Sequence, residues 1–170
     1  MKRSWWVAGL ASCLSLAVSN AYAHDVQLNF QGKVTESTCT VESSQDVKLH
    51  SVSANAFKTV GDVASIVPFG IIVADCDGTK VAGRFAAITQ DLDYRTGALI
   101  NKQPGGSNVQ VQIASHRGEV LNLGQIEAIK PAFANETSAN FQFLAQYISA
   151  DEIVTAGDFS AKLMFDLVYE

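Results

Sequence analysis

The sequence has few of the residues from which catalytic and metal sites are built. It contains three histidines and three cysteines, and His24, His50 and His116 lie far apart along the chain. None of the histidines belongs to an H-E-x-x-H pattern, and the chain has no G-x-S-x-G nucleophile motif. We therefore expect neither an enzyme nor a bound cofactor or metal ion.

Positive charge is also scarce. The chain has 12 lysines and arginines against 17 aspartates and glutamates, which gives a formal net charge of −5. A domain that binds nucleic acid or an anionic membrane surface needs clustered Lys and Arg side chains. Because the sequence contains no such cluster, we expect no nucleic-acid partner and no direct membrane partner.

The N-terminus carries a removable targeting segment. Lys2 and Arg3 precede an apolar stretch at residues 5–18, and an A-x-A cleavage site follows at residues 21–23. This order is that of a secretory signal peptide, and the apolar stretch is short for a transmembrane helix. We predict a signal peptide over residues 1–23. Removing Lys2 and Arg3 takes the formal net charge from −5 to about −7.

Two cysteines remain in the mature chain. Cys13 leaves with the signal peptide, whereas Cys39 and Cys76 stay. An exported pair is expected to form one disulfide, which stabilises the fold by roughly 3–4 kcal/mol on a chain-entropy estimate. The wide spacing of the pair, with no short-range second ligand, disfavours a zinc site.

An apolar period of two, typical of strands with one buried face, recurs through the chain. Its clearest case is residues 158–169, whose alternate positions hold Phe159, Ala161, Leu163, Phe165, Leu167 and Tyr169. Further strands are predicted at residues 24–31, 33–41, 47–52, 80–89, 109–113, 121–123 and 141–147. Residues 68–76 suit a central strand buried on both faces, and residues 90–107 are polar and turn-rich. No stretch of ten or more residues has a helical period, so we predict an all-β sandwich.

The terminal segments leave two interpretations open. The strand at residues 158–169 runs almost to the last residue, and an open apolar edge is an aggregation hazard unless something covers it. At the other end Val26, Leu28 and Phe30 alternate with polar residues. Such a segment suits addition to the sheet edge of another molecule. Alternatively, both segments are ordinary strands of a complete, secreted sandwich that binds a ligand or host surface as a monomer.

Several motifs occur together along the mature chain. They are G-K-V at residues 32–34, T-C-T-V at 38–41, V-P-F-G-I-I-V-A-D-C at 67–76, an aromatic strand at 141–147, V-T-A-G at 154–157, and a penultimate Tyr169. In this combination the chain resembles the subunits of chaperone–usher fimbriae of the type 1 pilus kind. The resemblance covers essentially the whole mature chain.

The resemblance implies an immunoglobulin-like sandwich, over residues 33–170, that lacks its last strand and is completed in trans. Residues 24–32 then form a donor-strand extension with Val26, Leu28 and Phe30 as donor residues. Gly32 and Gly157 are implied as hinge or turn positions. The strand that edges the groove and contacts the chaperone carries Leu163, Phe165, Leu167 and Tyr169.

The resemblance also implies partners and a location. A periplasmic chaperone and an outer-membrane usher deliver each subunit to its neighbours, which are the same or different subunits. The product is an adhesive fimbria at the cell surface. The short extension, with only His24 and Asp25 before Val26, is more typical of a minor adaptor than of a major rod subunit. The chain also lacks the length of a two-domain tip adhesin.

Overall fold

The computed structural model describes residues 39–41, 45–76, 78–125 and 127–169. In this part of the chain the only helical elements are 3-10 turns at Ala54–Ala56 and Thr89–Asp91. The strands are β1 (Thr40–Val41), β2 (Val63–Ala74), β3 (Val81–Ala86), β4 (Leu92–Asp93), β5 (Ala98–Ile100), β6 (Gln110–Ser115), β7 (Val120–Leu121), β8 (Phe133–Ala134), β9 (Ala139–Ile148) and β10 (Met164–Tyr169). The all-β prediction is confirmed.

The strands form two antiparallel sheets. The larger sheet has the order β1-β2-β9-β6-β5-β4, with β7 paired to β6 and β8 paired to β9. The smaller sheet consists of β10 and β3. In the larger sheet β9 pairs with β2 along one edge and with β6 and β8 along the other. This long alternating strand is therefore the centre of the fold.

Aromatic side chains join the two sheets. Phe141 and Phe143 of β9 are almost fully buried, at 1% and 2% exposure. Phe165 of β10 lies with its ring centroid 5.0 Å from that of Phe141 and 5.9 Å from that of Phe143. Phe85 of β3 lies 4.9 Å from Phe143 and 5.1 Å from Phe165. Tilted and edge-on pairs at these distances are favourable beyond the area that they bury.

The apolar run at residues 68–76 is not a strand buried on both faces. It belongs to β2, whose inward Val73 is fully buried while the preceding residue, Ile72, is 65% exposed. One face of the larger sheet packs on the core, and the described residues leave Ile72 on the other face open. The prediction was wrong because consecutive β-branched residues suit a strand whether one or both of its faces are covered.

Residues 47–52 do not form the predicted strand. Val47 and Leu49 are half-buried against the core, and the residues between and after them are exposed. Buried and exposed side chains therefore alternate as in a strand, but the backbone is not in a strand ladder. The backbone N–H of His50 donates instead to the Ser65 side-chain oxygen at 2.7 Å. Ser65 has a φ of 54° and lies in a β-bulge between Ala64 and Val67. A bulge side chain thus takes the place of a ladder bond.

The turn-rich segment at residues 90–107 contains a hairpin that the sequence pattern does not predict. β4 and β5 pair through Leu92 with Leu99 and Asp93 with Ala98. Strands of two and three residues are too short to display a period of two. By contrast, the predicted disulfide between Cys39 and Cys76 is confirmed.

Candidate functional site

The candidate site is the outer edge of β10. The strand predicted at residues 158–169 is a ladder-paired strand only from Met164 to Tyr169, so the prediction is wrong for residues 158–163. The reason is that Asp158 and Ser160 bond to the loop at residues 101–107 rather than to a strand. β10 itself runs antiparallel to β3, from Met164 opposite Ala86 to Tyr169 opposite Val81. Within the described residues, β3 is the only strand with which it pairs.

The bonds of β3 show which way the backbone of β10 points. Gly83 of β3 exchanges two backbone bonds with Ile129, at 2.7 and 2.6 Å, on the edge that faces away from β10. Gly83 and its opposite residue Leu167 are therefore a non-hydrogen-bonded pair, since successive residues of a strand direct their backbone groups to opposite edges. By the same alternation, Phe165 and Leu167 direct N–H and C=O to the outer edge of β10.

The side chains along this edge form an apolar row. Its members are Phe159, Ala161, Leu163, Phe165, Leu167 and Tyr169, all half-buried and packed against the core. The residues between them, from Ser160 to Asp166, are exposed. At the upstream end Phe159 meets Tyr147 of β9 edge-on, with ring centroids 5.6 Å apart. Burial raises the pKa of the Tyr147 hydroxyl. A strand added at this edge would therefore meet apolar side chains as well as the outward-directed backbone groups of Phe165 and Leu167.

Two contacts lie where β10 meets β3. Arg84 of β3 and Asp166 of β10 form a cross-strand ion pair of 3.3 Å, but both side chains are more than 40% exposed, so the pair contributes little. The second feature is Gly83, where an added Cβ would overlap the ring of Phe165. Gly83 thus lets the Phe165 ring lie across β3. Sequence reasoning missed this glycine, although an isolated glycine within a strand is a signal of close approach.

Of the other predicted site residues, some lie outside the described part of the chain. These are Val26, Leu28 and Phe30 of the donor extension, and Gly32. Gly157 is described: a Cβ there would lie 2.6 Å from the backbone nitrogen of Ser107 and 2.7 Å from the carbonyl carbon of Gly106. Two backbone segments therefore approach closely at Gly157. Its role as a hinge or turn stays a prediction.

The two carboxylates that alternate at the start of the β4–β5 hairpin bind different partners. Asp91 pairs with the Lys102 ammonium at 2.8 Å. Asp93 accepts from the Arg95 guanidinium at 2.7 Å and from the Gln110 amide at 2.7 Å. These bonds, led by that from Arg95, lower the pKa of Asp93 to about 2. Both carboxylates thus serve to hold loops and strands together.

The described residues contain no group of three or more His, Cys, Asp or Glu side chains that is arranged to hold a metal ion. None of their helices is long and apolar enough to span a membrane.

A family model and two related proteins all identify fimbrial proteins as the relatives of this chain. A family model described as fimbrial protein matches residues 28–170. The F17 fimbrial protein of Escherichia coli is 30% identical over 183 residues, covering all of this chain and all of that protein. The major fimbrial subunit SMF-1 of Stenotrophomonas maltophilia is 31% identical over 169 residues, covering 92% of this chain and 99% of that protein.

A solved structure agrees in fold. The chain of a chaperone–usher pilus is 18% identical, with a TM-score of 0.59, and the match covers 92% of this chain and 100% of that chain. At this identity the likeness shows the fold alone, a pilin β-sandwich. The sequence resemblance is confirmed, and the relatives are structural subunits rather than enzymes. The chain therefore belongs to the fimbrial protein family and is a structural subunit of cell-surface fimbriae.

Proposed function

We propose that the subunit polymerises by donor-strand exchange. In this mechanism residues 24–32 of one subunit add as a strand to the outer edge of β10 in the next. The observation that carries the proposal is that edge: Phe165 and Leu167 direct their backbone groups away from β3, above half-buried apolar side chains. An added strand would form ladder hydrogen bonds with these backbone groups, and its own apolar side chains would pack against the apolar row.

The donor extension supplies matching side chains. Val26, Leu28 and Phe30 would lie on one face of an extended strand, and Gln27 and Asn29 on the other. Burying the three apolar side chains contributes roughly 5–9 kcal/mol before the cost of association. In the periplasm a chaperone strand occupies the same edge, with Leu163, Phe165, Leu167 and Tyr169 as its contacts. The outer-membrane usher is then the place where the chaperone strand is exchanged.

The proposed donor extension and acceptor edge together suggest where the subunit lies in the filament. A chain with a donor extension and an acceptor edge can join a neighbour on each side, so we propose an internal position in a fimbria that supports adhesion. The short extension favours a minor adaptor. Likeness to the major subunit SMF-1 favours a repeated position instead, and subunit counts in isolated fimbriae would decide between the two.

Charge substitutions on the two faces of the extension test the proposal. Leu28→Glu or Phe30→Asp would place a charge against the apolar row, whereas Asn29→Asp places one on the opposite face as a matched control. We expect the first two variants to lower incorporation into fimbriae at least tenfold and the control to incorporate normally, measured by immunoblot of sheared surface fimbriae. Equal incorporation of all three variants would contradict the donor role.

A further inference from the structure

We infer that the acceptor edge is longer than β10, because the side chain of Asn101 takes the place of a strand beside residues 158–160. The acceptor edge is defined here as the outer edge of residues 159–167. This inference rests on the proposed function and deepens it, since it fixes how many residues of a donor strand can pair. Asn101 is a positioning residue in this account: it contacts the acceptor segment and not the donor.

The Asn101 side chain makes four hydrogen bonds. Its Nδ2 group donates to the carbonyl oxygens of Ser107 and Asp158, both at 2.7 Å. Its Oδ1 atom accepts from the backbone N–H groups of Gln103 and Ser160, both at 2.9 Å. Two of these bonds hold its own loop and the other two hold the acceptor segment. The amide is thus fixed in position on one side and acts as a ladder partner on the other.

Two backbone bonds reinforce this attachment. The N–H of Lys102 donates to the carbonyl of Ser160 at 2.8 Å, and the N–H of Ser107 donates to the carbonyl of Asp158 at 3.1 Å. Asp158 and Ser160 therefore direct their backbone groups towards residues 101–107. In an extended chain the residues between and after them must direct theirs to the opposite edge.

The alternation continues without a break into β10. From residue 159 to residue 167, odd-numbered side chains are half-buried and even-numbered ones are exposed, as an extended chain requires. Gly83 fixes the same parity independently in β10, where Leu167 directs its backbone groups outward. The outward groups therefore belong to one series: Phe159, Ala161, Leu163, Phe165 and Leu167. Asn101 holds the upstream end of this series, near Phe159 and Ala161, through its bonds to Asp158 and Ser160.

This edge matches the predicted donor in length. Residues 159–167 and residues 24–32 each comprise nine positions, whereas β10 alone comprises six. The upstream third of the edge also offers the Phe159 ring, which is packed on Tyr147. We expect the donor strand to pair along the whole nine-residue edge, and not only along β10.

Amide hydrogen exchange on multimers of the full mature chain tests this inference, with single-residue resolution along the acceptor edge. In the unchanged protein we expect protection at all five outward amides. In Asn101→Ala multimers, Phe159 and Ala161 should exchange about tenfold faster or more, the effect of losing their hydrogen bonds. Phe165 and Leu167 should stay protected, because β3 holds them in place.

Asn108→Ala is the matched control. Asn108 lies in the same loop and also makes several side-chain bonds, but to Asp151, Ile153 and Thr155, which precede the acceptor edge. Its multimers should show the unchanged pattern. If Asn101→Ala does not fold, Asn101→Asp keeps an oxygen that can accept from Ser160 and loses the Nδ2 group that donates to Ser107 and Asp158. That variant should expose Phe159 and leave Ala161 protected.

The outcomes separate this inference from the function on which it rests. Protection confined to Phe165 and Leu167 in the unchanged protein would overturn the extended edge and leave donor-strand exchange standing. Full protection of Phe159 and Ala161 in both Asn101 variants would overturn the positioning role of Asn101 and also leave donor-strand exchange standing. Multimers in which Phe165 and Leu167 exchange freely would overturn donor-strand exchange itself.

Discussion

At the residue scale, several side chains of this protein form the hydrogen bonds to backbone groups that a neighbouring strand would form in a regular sheet. Ser65 binds the backbone of His50 from a bulge, and Asn101 binds the backbone of residues 158–160. Asp93 joins the β4–β5 hairpin to Gln110 of β6. These polar residues hold short or irregular segments whose own backbone bonds are few. Single substitutions at them should therefore have local effects that can be measured separately.

Asp93 gives a prediction on pH. Its pKa is about 2 in the folded protein, below the ordinary value of 3.8, chiefly because Arg95 donates to it. A lowered folded-state pKa means that Asp93 stabilises the fold fully above about pH 4 and loses that contribution as the pH falls towards 2. The loss should amount to about 1–2 kcal/mol, since Arg95 is largely exposed and the pair is screened.

Asp93→Asn provides the comparison. The difference in free energy of unfolding between the assembled protein and this variant should shrink between pH 5 and pH 2.5, as measured by chemical denaturation. A difference that stays constant over this interval would mean that Asp93 has an ordinary pKa in the folded state.

At the element scale, the pairing of β3 with β10 depends on a close fit between backbone and ring. The Phe165 ring contacts Phe85, Phe141 and Phe143 and passes over Gly83. Gly83→Ala should displace the ring and destabilise the assembled protein by about 1–3 kcal/mol, the usual cost of overpacking. Guanidinium denaturation followed by circular dichroism would measure this cost.

A second substitution separates overpacking from other effects of the added methyl group. Phe165→Leu shortens the side chain, so Gly83→Ala should cost clearly less in a Phe165→Leu background than in the unchanged protein. Gly70→Ala is a milder comparison, since a Cβ at Gly70 would lie 3.3 Å from the nearest atom, the carbonyl oxygen of Phe141. Equal costs in both backgrounds would show that the Phe165 ring does not constrain Gly83.

The strands also show which parts of the fold could be predicted from the sequence. β3, β6 and β9 are where their apolar alternation places them, because each is long enough to display a period of two. β4, β5 and β8 are too short to do so. Residues 47–52 and 158–163 alternate as strands do, but they pair with no strand of the described part of the chain. Side chains bind their backbones instead: Ser65 binds His50, and Asn101 binds Asp158 and Ser160. Alternation predicts which side chains are buried; it does not predict what the backbone bonds to.

The candidate site was predictable to the same extent. The apolar row from Phe159 to Tyr169 follows directly from the sequence, and the structure places it on the core. The contributions of Gly83 and Asn101 depend on contacts between residues far apart in the chain. A local pattern does not contain that information, although the glycine within a strand was a usable sign.

At the scale of the whole molecule, the chain is one link of a fimbria. Its family and relatives show a structural subunit of surface fimbriae, and the outer edge of β10 is the place where the proposed donor strand adds. On this account the free subunit exposes part of its apolar row, and the proposed chaperone strand would cover that row during export. Stability of the fold and assembly of the filament are then a single process.

The most direct test of the central claim is an unheated denaturing gel of the exported protein, with residues 26–30 present or replaced by a Gly/Ser segment of equal length. Donor-strand exchange predicts a ladder of stable multimers that appears only when residues 26–30 are present and that collapses to the monomer on heating. If both versions run as folded monomers that need no chaperone, the sandwich is complete by itself and the account is wrong.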